Sequence, residues 1–189
     1  MSELTIRRPV YSDCDGLARV HVASWQAGYR DLMAPEFLAA QDPEVRARQR
    51  RDSWHDPDYA HVRGFVAVNG GAVDGDDIVG FVNYGPYRSS HERGWAAVDP
   101  NGGGEVYALY VHPDHWGAGV GGTLLDAAVT DLRETGETPV RIWTLVGNDR
   151  ALRFYQARGF ALDGTRQLIT LGWGRKLELP EQRLTLTEP

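Results

Sequence analysis

The sequence predicts an α/β (α+β) fold, in which strands and helices follow one another along a single chain. Short apolar runs rich in β-branched and aromatic residues, such as Val106–Val111, have the length and composition of strands. Other segments, such as Leu124–Leu132, carry apolar residues at helical spacing. The glycine cluster Gly117–Gly122 lies between these two segments and is typical of a turn. With 189 residues, 42% of them hydrophobic, we expect one domain over residues 1–189.

In the first half of the chain, proline and capping residues mark the ends of the predicted elements. Pro9 ends a first strand, and Ser12-x-x-Asp15 resembles a capping arrangement that begins a helix. Charged residues fill the helix after Pro43, so we expect a solvated face there. The predicted elements are a strand at Leu4–Arg8, helices at 12–25 or 12–29, from Pro35 and from Glu44 to Trp54, and strands at Gly64–Val68 and Ile78–Tyr84.

The second half repeats the pattern of strand, turn and helix. A polar hairpin connection precedes Ile78, and Tyr87–Asn101 is predicted to be a mobile loop. Asn148 is placed to cap a helix, and Gly159 is placed to end it in the left-handed conformation. The remaining predicted elements are a helix from about Thr123 to Gly136, strands at Pro139–Val146, Phe160–Arg166 and Arg183–Thr187, and a connection containing Trp173.

The glycine cluster predicts a binding site for a phosphate or diphosphate. Glycines before a helix leave several backbone N–H groups without side-chain cover at the positive end of the helix dipole. A connection that binds nothing is disfavoured, since each glycine loses entropy on ordering. Nucleotide binding is a second alternative, because Gly117–Gly122 satisfies the letters GxGxxG. His112–Trp116 separate the strand from the first glycine, however, and no Lys-Ser or Lys-Thr follows the glycines as in a Walker loop.

Two motifs in this order resemble those of the GNAT N-acetyltransferase superfamily. The stretch Trp116–Gly121 is similar to the family's acyl-CoA loop, with Trp116 where arginine or glutamine is usual. Downstream, Asn148–Phe160 is similar to the pattern Asn-x-x-Ala-x-x-Phe-Tyr-x-x-x-Gly-Phe. The resemblance covers about residues 4–187 and implies a mixed, mostly antiparallel sheet with helices on both faces. It also implies acetyl-CoA as the acyl donor and, from the family alone, a possible homodimer.

Acetyl transfer to an amine requires a neutral amine, a stabilised oxyanion and a tolerated thiolate. An alkylamine has a pKa of about 10.4, so a base must remove its proton at neutral pH. Glu105, at the start of the central strand, is the best candidate base, and its alternative is a solvated acid that flanks a Gly-rich turn. Asp99 and His112 are weaker candidates, and His112 is better placed to cap the turn.

The resemblance assigns the remaining donor-site residues. Tyr155 corresponds to the tyrosine that protonates the CoA sulfur, and Phe154 is assigned to the core. Asn148 caps its helix and contacts the pantetheine arm or the acceptor. Backbone groups of the central strand pair with the pantetheine amides, and one of them stabilises the oxyanion. The predicted cofactor-binding residues are Leu109, Tyr110, Val111, Trp116, Gly117, Ala118, Gly119, Val120, Gly121, Gly122, Asn148 and Tyr155.

The acceptor is predicted only as a primary amine of a small molecule or a peptide. Aromatic residues in segments that border the acceptor cleft of this fold could stack on a ring, hold a cation or belong to the core. These predicted substrate-binding residues are Trp25, Tyr29, Tyr84, Tyr87 and Trp173. A second function that the sequence allows is a non-catalytic acyl-CoA sensor or regulatory domain.

Composition excludes several other classes. A net charge of −6 disfavours nonspecific nucleic-acid binding. Cys14 is the only cysteine, so neither an intrachain disulfide nor a cysteine metal site can form, and the mechanism needs no metal. The sequence shows neither a signal peptide nor an apolar run of membrane-spanning length, so we expect a cytoplasmic protein without a membrane partner.

Overall fold

The computed structural model describes residues 4–70, 77–88, 98–99, 101–171 and 177–186. These residues form seven strands: β1 (Leu4–Arg7), β2 (Arg63–Asn69), β3 (Ile78–Pro86), β4 (Gly104–Val111), β5 (Val140–Leu145), β6 (Ala161–Leu171) and β7 (Leu177–Leu186). They also form five α-helices: α1 (Cys14–Gly28), α2 (Pro35–Ala39), α3 (Pro43–Ser53), α4 (Val120–Glu134) and α5 (Asp149–Gln156). The predicted element order is therefore confirmed.

The strands belong to one mixed sheet with the order β1-β2-β3-β4-β5-β7-β6. The pairs β1–β2, β2–β3, β5–β7 and β6–β7 are antiparallel, and β4–β5 is parallel. A parallel pair needs a crossover connection, and α4 supplies it between β4 and β5. The predicted fold class, an α/β fold around a mixed, mostly antiparallel sheet, is confirmed.

The chain folds as two compact units, the first formed by residues 1–84 and 108–131 and the second by residues 85–107 and 132–189. In the first unit, α1 buries an apolar face that includes Leu17 and Val20. This face packs with the buried strand residues Val66, Val68, Ile78 and Phe81 and the partly buried Ala108 and Tyr110. Burial of apolar surface on this scale is the main force that holds a helix on a sheet.

In the second unit, β5 alternates between buried and half-buried residues over its first five positions. Gly104, at the start of β4, lies where a Cβ would come within 2.8 Å of both the Leu132 side chain and the Glu137 carbonyl oxygen. Glycine therefore permits the close approach of the strand to the end of α4.

The caps of α5 agree with the sequence, whereas the start of α1 does not. The Asn148 side chain accepts a hydrogen bond from the Ala151 N–H at 3.1 Å, and Gly159 adopts a φ of +84°, as predicted. The predicted cap at Ser12 is wrong, because α1 begins at Cys14 with no side-chain cap. The reason is Asp13, a fully buried carboxylate that binds Arg7 at 2.6 and 2.8 Å and fixes this turn. A buried charge requires such a partner.

Three predictions fall wholly or partly outside the described residues. They are the connection between β2 and β3, most of the loop predicted at Tyr87–Asn101, and Trp173. The antiparallel pairing of β2 with β3 confirms that these two strands form the predicted hairpin. The last two strands also form a hairpin, and both are longer than predicted.

Candidate active site

The glycine-rich turn between β4 and α4 presents an exposed backbone. A 3-10 turn at Pro113–His115 ends the strand, and Gly117 and Gly119 then adopt φ angles of +80° and +85°. A Cβ built at either glycine would meet nothing within 4 Å. The backbone conformation, rather than crowding inside the protein, therefore requires glycine here, and the space beside the turn is open to a ligand.

Helix α4 begins at Val120, three residues earlier than Thr123, where the sequence placed it. The N–H of Thr123 donates to the Gly119 carbonyl oxygen at 3.1 Å, and this is an early backbone hydrogen bond of the helix. The amides of Val120, Gly121 and Gly122 precede it, at the helix end that lacks intrahelical acceptors. The first turn of α4, rather than a loop before it, thus supplies donors and a positive dipole end suited to a diphosphate.

Trp116 has a structural contact inside the same turn. Its indole Nε1–H donates to the Val111 carbonyl oxygen at 2.7 Å, which ties the turn to the end of β4. Nearby, His112 Nδ1 accepts a weak hydrogen bond from the Asp114 N–H at 3.4 Å. The prediction that His112 caps the turn is confirmed by this contact.

The parallel ladder between β4 and β5 is short. It joins Gly104–Val106 to Val140–Ile142. Although β4 continues to Val111 and β5 to Leu145, the described residues add no further β4–β5 pair. The predicted pantetheine-binding residues Leu109–Val111 therefore lie beyond the end of this ladder, where backbone groups on one strand edge can bind an extended ligand.

In the second unit, Glu105 is buried rather than solvated. Only 1% of its surface is exposed, and both carboxylate oxygens bind Arg88. Arg88 donates its backbone N–H to Oε2 at 3.0 Å and its Nη2 to Oε1 at 2.5 Å. The guanidinium also lies 4.3 Å from the centre of the Tyr107 ring. The alternative of a solvated acid that flanks a Gly-rich turn is thus wrong for Glu105, because the strand start lies in the core and the acid is ion-paired there.

Glu181, on β7, is a second buried acid of this unit that the sequence analysis missed. Its carboxylate accepts a hydrogen bond from Gln167 Nε2 at 3.1 Å. Burial has the largest effect on the Glu181 carboxyl and raises its pKa. The Gln167 hydrogen bond and the charge of Arg88 lower the pKa, the charge of Glu105 raises it, and the net shift is upward. A carboxyl with a raised pKa is a candidate proton acceptor. No sequence motif marks this residue, since its environment comes from strand pairing.

Tyr155 lies on α5 and is 7% exposed. Its ring packs edge-on against Phe160 and Phe154, with centroids 5.9 and 5.1 Å away. Phe154 is only partly buried and carries the Arg158 guanidinium 4.1 Å from its ring centre. The assignment of Phe154 to the core is therefore corrected, because Tyr155 is the more deeply buried of the two. Asn148, which caps the same helix, lies at its opposite end.

The predicted acceptor aromatics separate into different environments. In the first unit, Trp25 lies 5.6 Å from Tyr29 and 6.5 Å from Tyr110 between ring centroids. Tyr84 is fully buried and its hydroxyl accepts from Arg8 at 2.6 Å, so its assignment to the acceptor site is corrected to a core position. Its pKa is raised to about 12, chiefly by burial. In the second unit, the Tyr87 hydroxyl accepts from Arg183 at 2.7 Å.

The basic helix α3 is not the fully solvated surface that the sequence indicated. The Arg50 guanidinium lies 4.6 Å from the centre of the Phe81 ring, and that of Arg46 lies 5.5 Å from the Trp25 ring. Both side chains are partly buried, whereas Arg48 on the same helix is exposed. The cation at Trp25 is thus supplied by the protein itself, and the prediction of a solvated face is wrong for these two residues.

No helix in the described part of the chain is long and apolar enough to cross a membrane.

Asp99, one of the two weaker candidate bases, accepts a hydrogen bond from the Asn101 N–H at 2.9 Å and closes a local turn.

The chain belongs to the acetyltransferase (GNAT) family, whose family model matches residues 25–160. This match contains the glycine turn, the start of α4, Glu105 and Tyr155. The predicted family is confirmed, and with it the class of enzyme, an acetyl-CoA-dependent acetyltransferase.

Individual relatives agree with this assignment, and one solved structure shares the fold. The chain is 27% identical over 179 residues to the uncharacterized N-acetyltransferase YuaI of Bacillus subtilis, covering 90% of this chain and 92% of the relative. It is 34% identical over 128 residues to the mycothiol acetyltransferase of Saccharopolyspora erythraea, covering 67% of this chain but 35% of that protein. The PaiA N-acetyltransferase of Thermoplasma acidophilum, solved with coenzyme A, shares the fold with a TM-score of 0.67 at 19% identity, over 95% of this chain and 98% of that one.

Proposed function

We propose that this protein transfers the acetyl group of acetyl-CoA directly to a primary amine of a small molecule or a peptide. The observation that carries the proposal is the open glycine turn at Gly117–Gly119, followed at once by the N-terminus of α4. In a member of the acetyltransferase family, this is the feature with the chemistry to hold the diphosphate of the donor.

The donor is held by backbone groups along most of its length. The amides of Val120–Gly122 bind the diphosphate, and backbone groups of β4 at Leu109–Val111 pair with the pantetheine amides. Trp116 contributes by fixing the turn through its bond to Val111, not by donating to the phosphates. Asn148 holds the start of α5 in place, and it also contacts the pantetheine arm or the acceptor.

Proton transfers at the two ends of the reaction are assigned to side chains. Glu105 accepts the proton of the amine, through water, before the amine attacks the thioester carbonyl. An N–H of β4 stabilises the oxyanion that forms. The Tyr155 hydroxyl then protonates the departing thiolate. The ordinary pKa of a phenol, about 10, is close enough to that of a thiol, about 8.5, for this proton transfer to contribute to catalysis.

Release of free CoA thiol tests the proposal. The purified chain is mixed with acetyl-CoA and a panel of polyamines, aminoglycosides, amino acids and peptides, and new thiol is followed with a chromogenic disulfide. We expect release that depends on both an amine and the protein, with an acetylated product of matching mass. Tight binding of acetyl-CoA with no release across the panel would instead support the alternative, a non-catalytic acyl-CoA sensor.

A further inference from the structure

Four side chains that carry hydrogen-bond donors lie close together in the first unit, two on α1 and two on α3. The donors are the ring N–H groups of His21 and Trp25 and the guanidinium groups of Arg46 and Arg50. The rings of Phe81 and Tyr110 line the same cluster, with centroids 6.3 and 4.9 Å from that of His21. We call these six residues the donor cluster.

The hydrogen bond to Arg50 sets the protonation of His21. Arg50 Nη2 lies 3.4 Å from His21 Nδ1. Arginine has only donors, so Nδ1 accepts, and the proton of a neutral imidazole is then on Nε2. Burial, followed by the charges of Arg50 and Arg46, holds the pKa of His21 well below its ordinary value, which keeps the ring neutral. Nε2–H is therefore a donor, and among the described residues it has no acceptor.

Trp25 lies beside His21 and has a similar buried ring N–H group. The two ring centroids are 5.0 Å apart. The indole Nε1 is buried, and in the part of the chain that the structure describes it also has no hydrogen-bond acceptor. Buried donors of this kind are rare in folded proteins, since each loses its hydrogen bond to water without replacement.

The two arginines add positive charge that no described carboxylate balances. Arg46 donates to the amide oxygens of Gln41 and Gln49, at 3.2 and 3.4 Å. Burial is the largest influence on both guanidinium groups, and it lowers the pKa of Arg50 to about 10. A guanidinium group is not deprotonated at neutral pH, so both side chains are charged. Neither forms a salt bridge with a described carboxylate, although Arg51, one residue further along α3, pairs with Asp15 at 2.9 Å.

We propose that the donor cluster binds a carboxylate of the acceptor, so that the natural substrate is an amine that carries a carboxylate, as an amino acid does. The inference rests on the proposed acetyl transfer and assigns the class of its acceptor. A carboxylate supplies acceptor oxygens to His21 Nε2–H and Trp25 Nε1–H, and its charge neutralises the guanidinium groups. His21, Arg46 and Arg50 each retain some exposed surface. His21 Nε2 and Trp25 Nε1 are buried, so a carboxylate reaches these two atoms only when the side chains around them move.

Within the same unit, the donor cluster contacts the part of β4 that is proposed to bind acetyl-CoA. Tyr110 stacks on His21 at an interplanar angle of 27° and belongs to the part of β4 assigned to the pantetheine arm. From α1, Ser24 donates its hydroxyl to the Val111 carbonyl oxygen at 2.8 Å, which fixes the helix against the end of the strand. A carboxylate bound by α1 and α3 is thereby placed on the face of β4 that Tyr110 occupies.

Matched acceptors test the inference by steady-state kinetics. Each amino acid is compared with its primary amide and with the amine that lacks the carboxyl group, and ethanolamine is compared with phosphoethanolamine. We expect kcat/KM for the amino acids to exceed that for the amides by at least about tenfold, as for the loss of a hydrogen bond to a charged group. Arg50→Gln should raise KM for the amino acid by about tenfold or more and abolish this preference, with KM for acetyl-CoA unchanged.

Two further variants keep the test interpretable. Arg46→Gln should act in the same direction as Arg50→Gln and covers the case in which the latter fails to fold, whereas the exposed Arg48→Gln should leave both KM values unchanged. Equal rates for acids, amides and simple amines would overturn the inference and leave acetyl transfer intact. A preference for phosphoethanolamine over every carboxylate would also overturn it, in favour of a phosphate site.

A binding measurement separates failure of the inference from failure of the proposed function. If no amine supports thiol release, the acetyl-transfer proposal fails, and amino acids are titrated into 15N-labelled protein with CoA present. A saturable shift of the Trp25 indole N–H signal, assigned by its loss in Trp25→Phe and weakened by Arg50→Gln, would support the carboxylate site. The absence of any shift at millimolar amino acid would overturn it.

Discussion

Arg88 binds both carboxylate oxygens of Glu105, one through its backbone N–H and the other through its guanidinium group. Because Glu105 is buried, removing either member of the pair leaves a charge or a polar group without compensation, which typically costs about 3–5 kcal/mol. The proposed base is thus part of the local structure of β4 as well as of the chemistry. Experiments on it must separate these two contributions.

We expect Glu105→Gln to lower kcat/KM at pH 7 by about 100-fold, because the amine is no longer deprotonated on the enzyme. The deficit should shrink as the pH rises above about 9, since an amine with a pKa of about 10.4 is then increasingly neutral in solution. The pH profile, corrected for the folded fraction measured by circular dichroism, checks this. Glu181→Gln is the matched control, and a loss that recovers at high pH in that variant alone would assign the base to Glu181 instead.

Tyr155→Phe should reduce kcat by about 100-fold or more while the affinity for CoA remains the same. The substitution removes only the hydroxyl, and the ring contacts with Phe154 and Phe160 remain possible. Kinetics and calorimetric titration with CoA measure the two quantities. Phe154→Leu is the control for changes in packing on α5 and should retain most of the turnover. Full activity of Tyr155→Phe on the preferred acceptor would show that another group protonates the thiolate.

Gly119→Ala should weaken CoA binding by about tenfold, because alanine disfavours the φ of +85° and shifts the first amides of α4. We expect a loss of stability of about 1 kcal/mol from the same conformational strain. Gly28→Ala at the end of α1 is the matched control, since a Cβ there meets nothing within 4 Å and the φ is not left-handed. Titration with CoA and thermal denaturation test both variants. Unchanged CoA affinity in Gly119→Ala would contradict a role of this turn in binding.

We expect the ionised carboxylate of Asp163 to stabilise the folded protein at neutral pH and to lose this effect in acid. Burial raises the pKa of its carboxyl, but hydrogen bonds from Thr185, Thr165 and Arg183 outweigh that effect and hold it well below its ordinary value. A group with a lowered pKa in the folded state stabilises that state above its unfolded pKa of about 3.9, and the stabilisation is lost as the pH falls further.

Asp163→Asn should therefore lower the free energy of unfolding by about 1 kcal/mol at pH 7, a figure reduced for the solvent exposure of this site. The difference from the parent chain should narrow towards pH 2. Urea denaturation at both pH values measures it, with the exposed Asp126→Asn as the control. A difference that grows on acidification would show that the sign of this assignment is wrong.

Features encoded by neighbouring residues could be predicted from the sequence. Asn148 and Gly159 bound α5 through contacts within a few residues, so their side-chain types were sufficient to predict the caps. The φ angles of Gly117 and Gly119 likewise follow from local backbone chemistry. The start of α4 was misplaced because glycines usually interrupt helices, whereas here Gly121 and Gly122 form its first turn.

Features that depend on distant residues could not be predicted. In the sequence, Glu105 follows the glycines Gly102–Gly104 and looks solvated, and only the fold brings Arg88 to it. Glu181 acquires its raised pKa only through burial and pairing of β7 with its neighbours. Arg46 and Arg50 belong to a charged sequence typical of a helix surface, and only the packing of α3 on α1 places them against aromatic rings. Charge patterns do not reveal such burial.

A crystal structure of the chain with coenzyme A would show directly where the diphosphate binds. We expect its oxygens within hydrogen-bonding distance of the backbone N–H groups of Val120, Gly121 and Gly122, beside the open turn at Gly117–Gly119. A diphosphate bound at any other surface, with these amides facing only solvent, would contradict it.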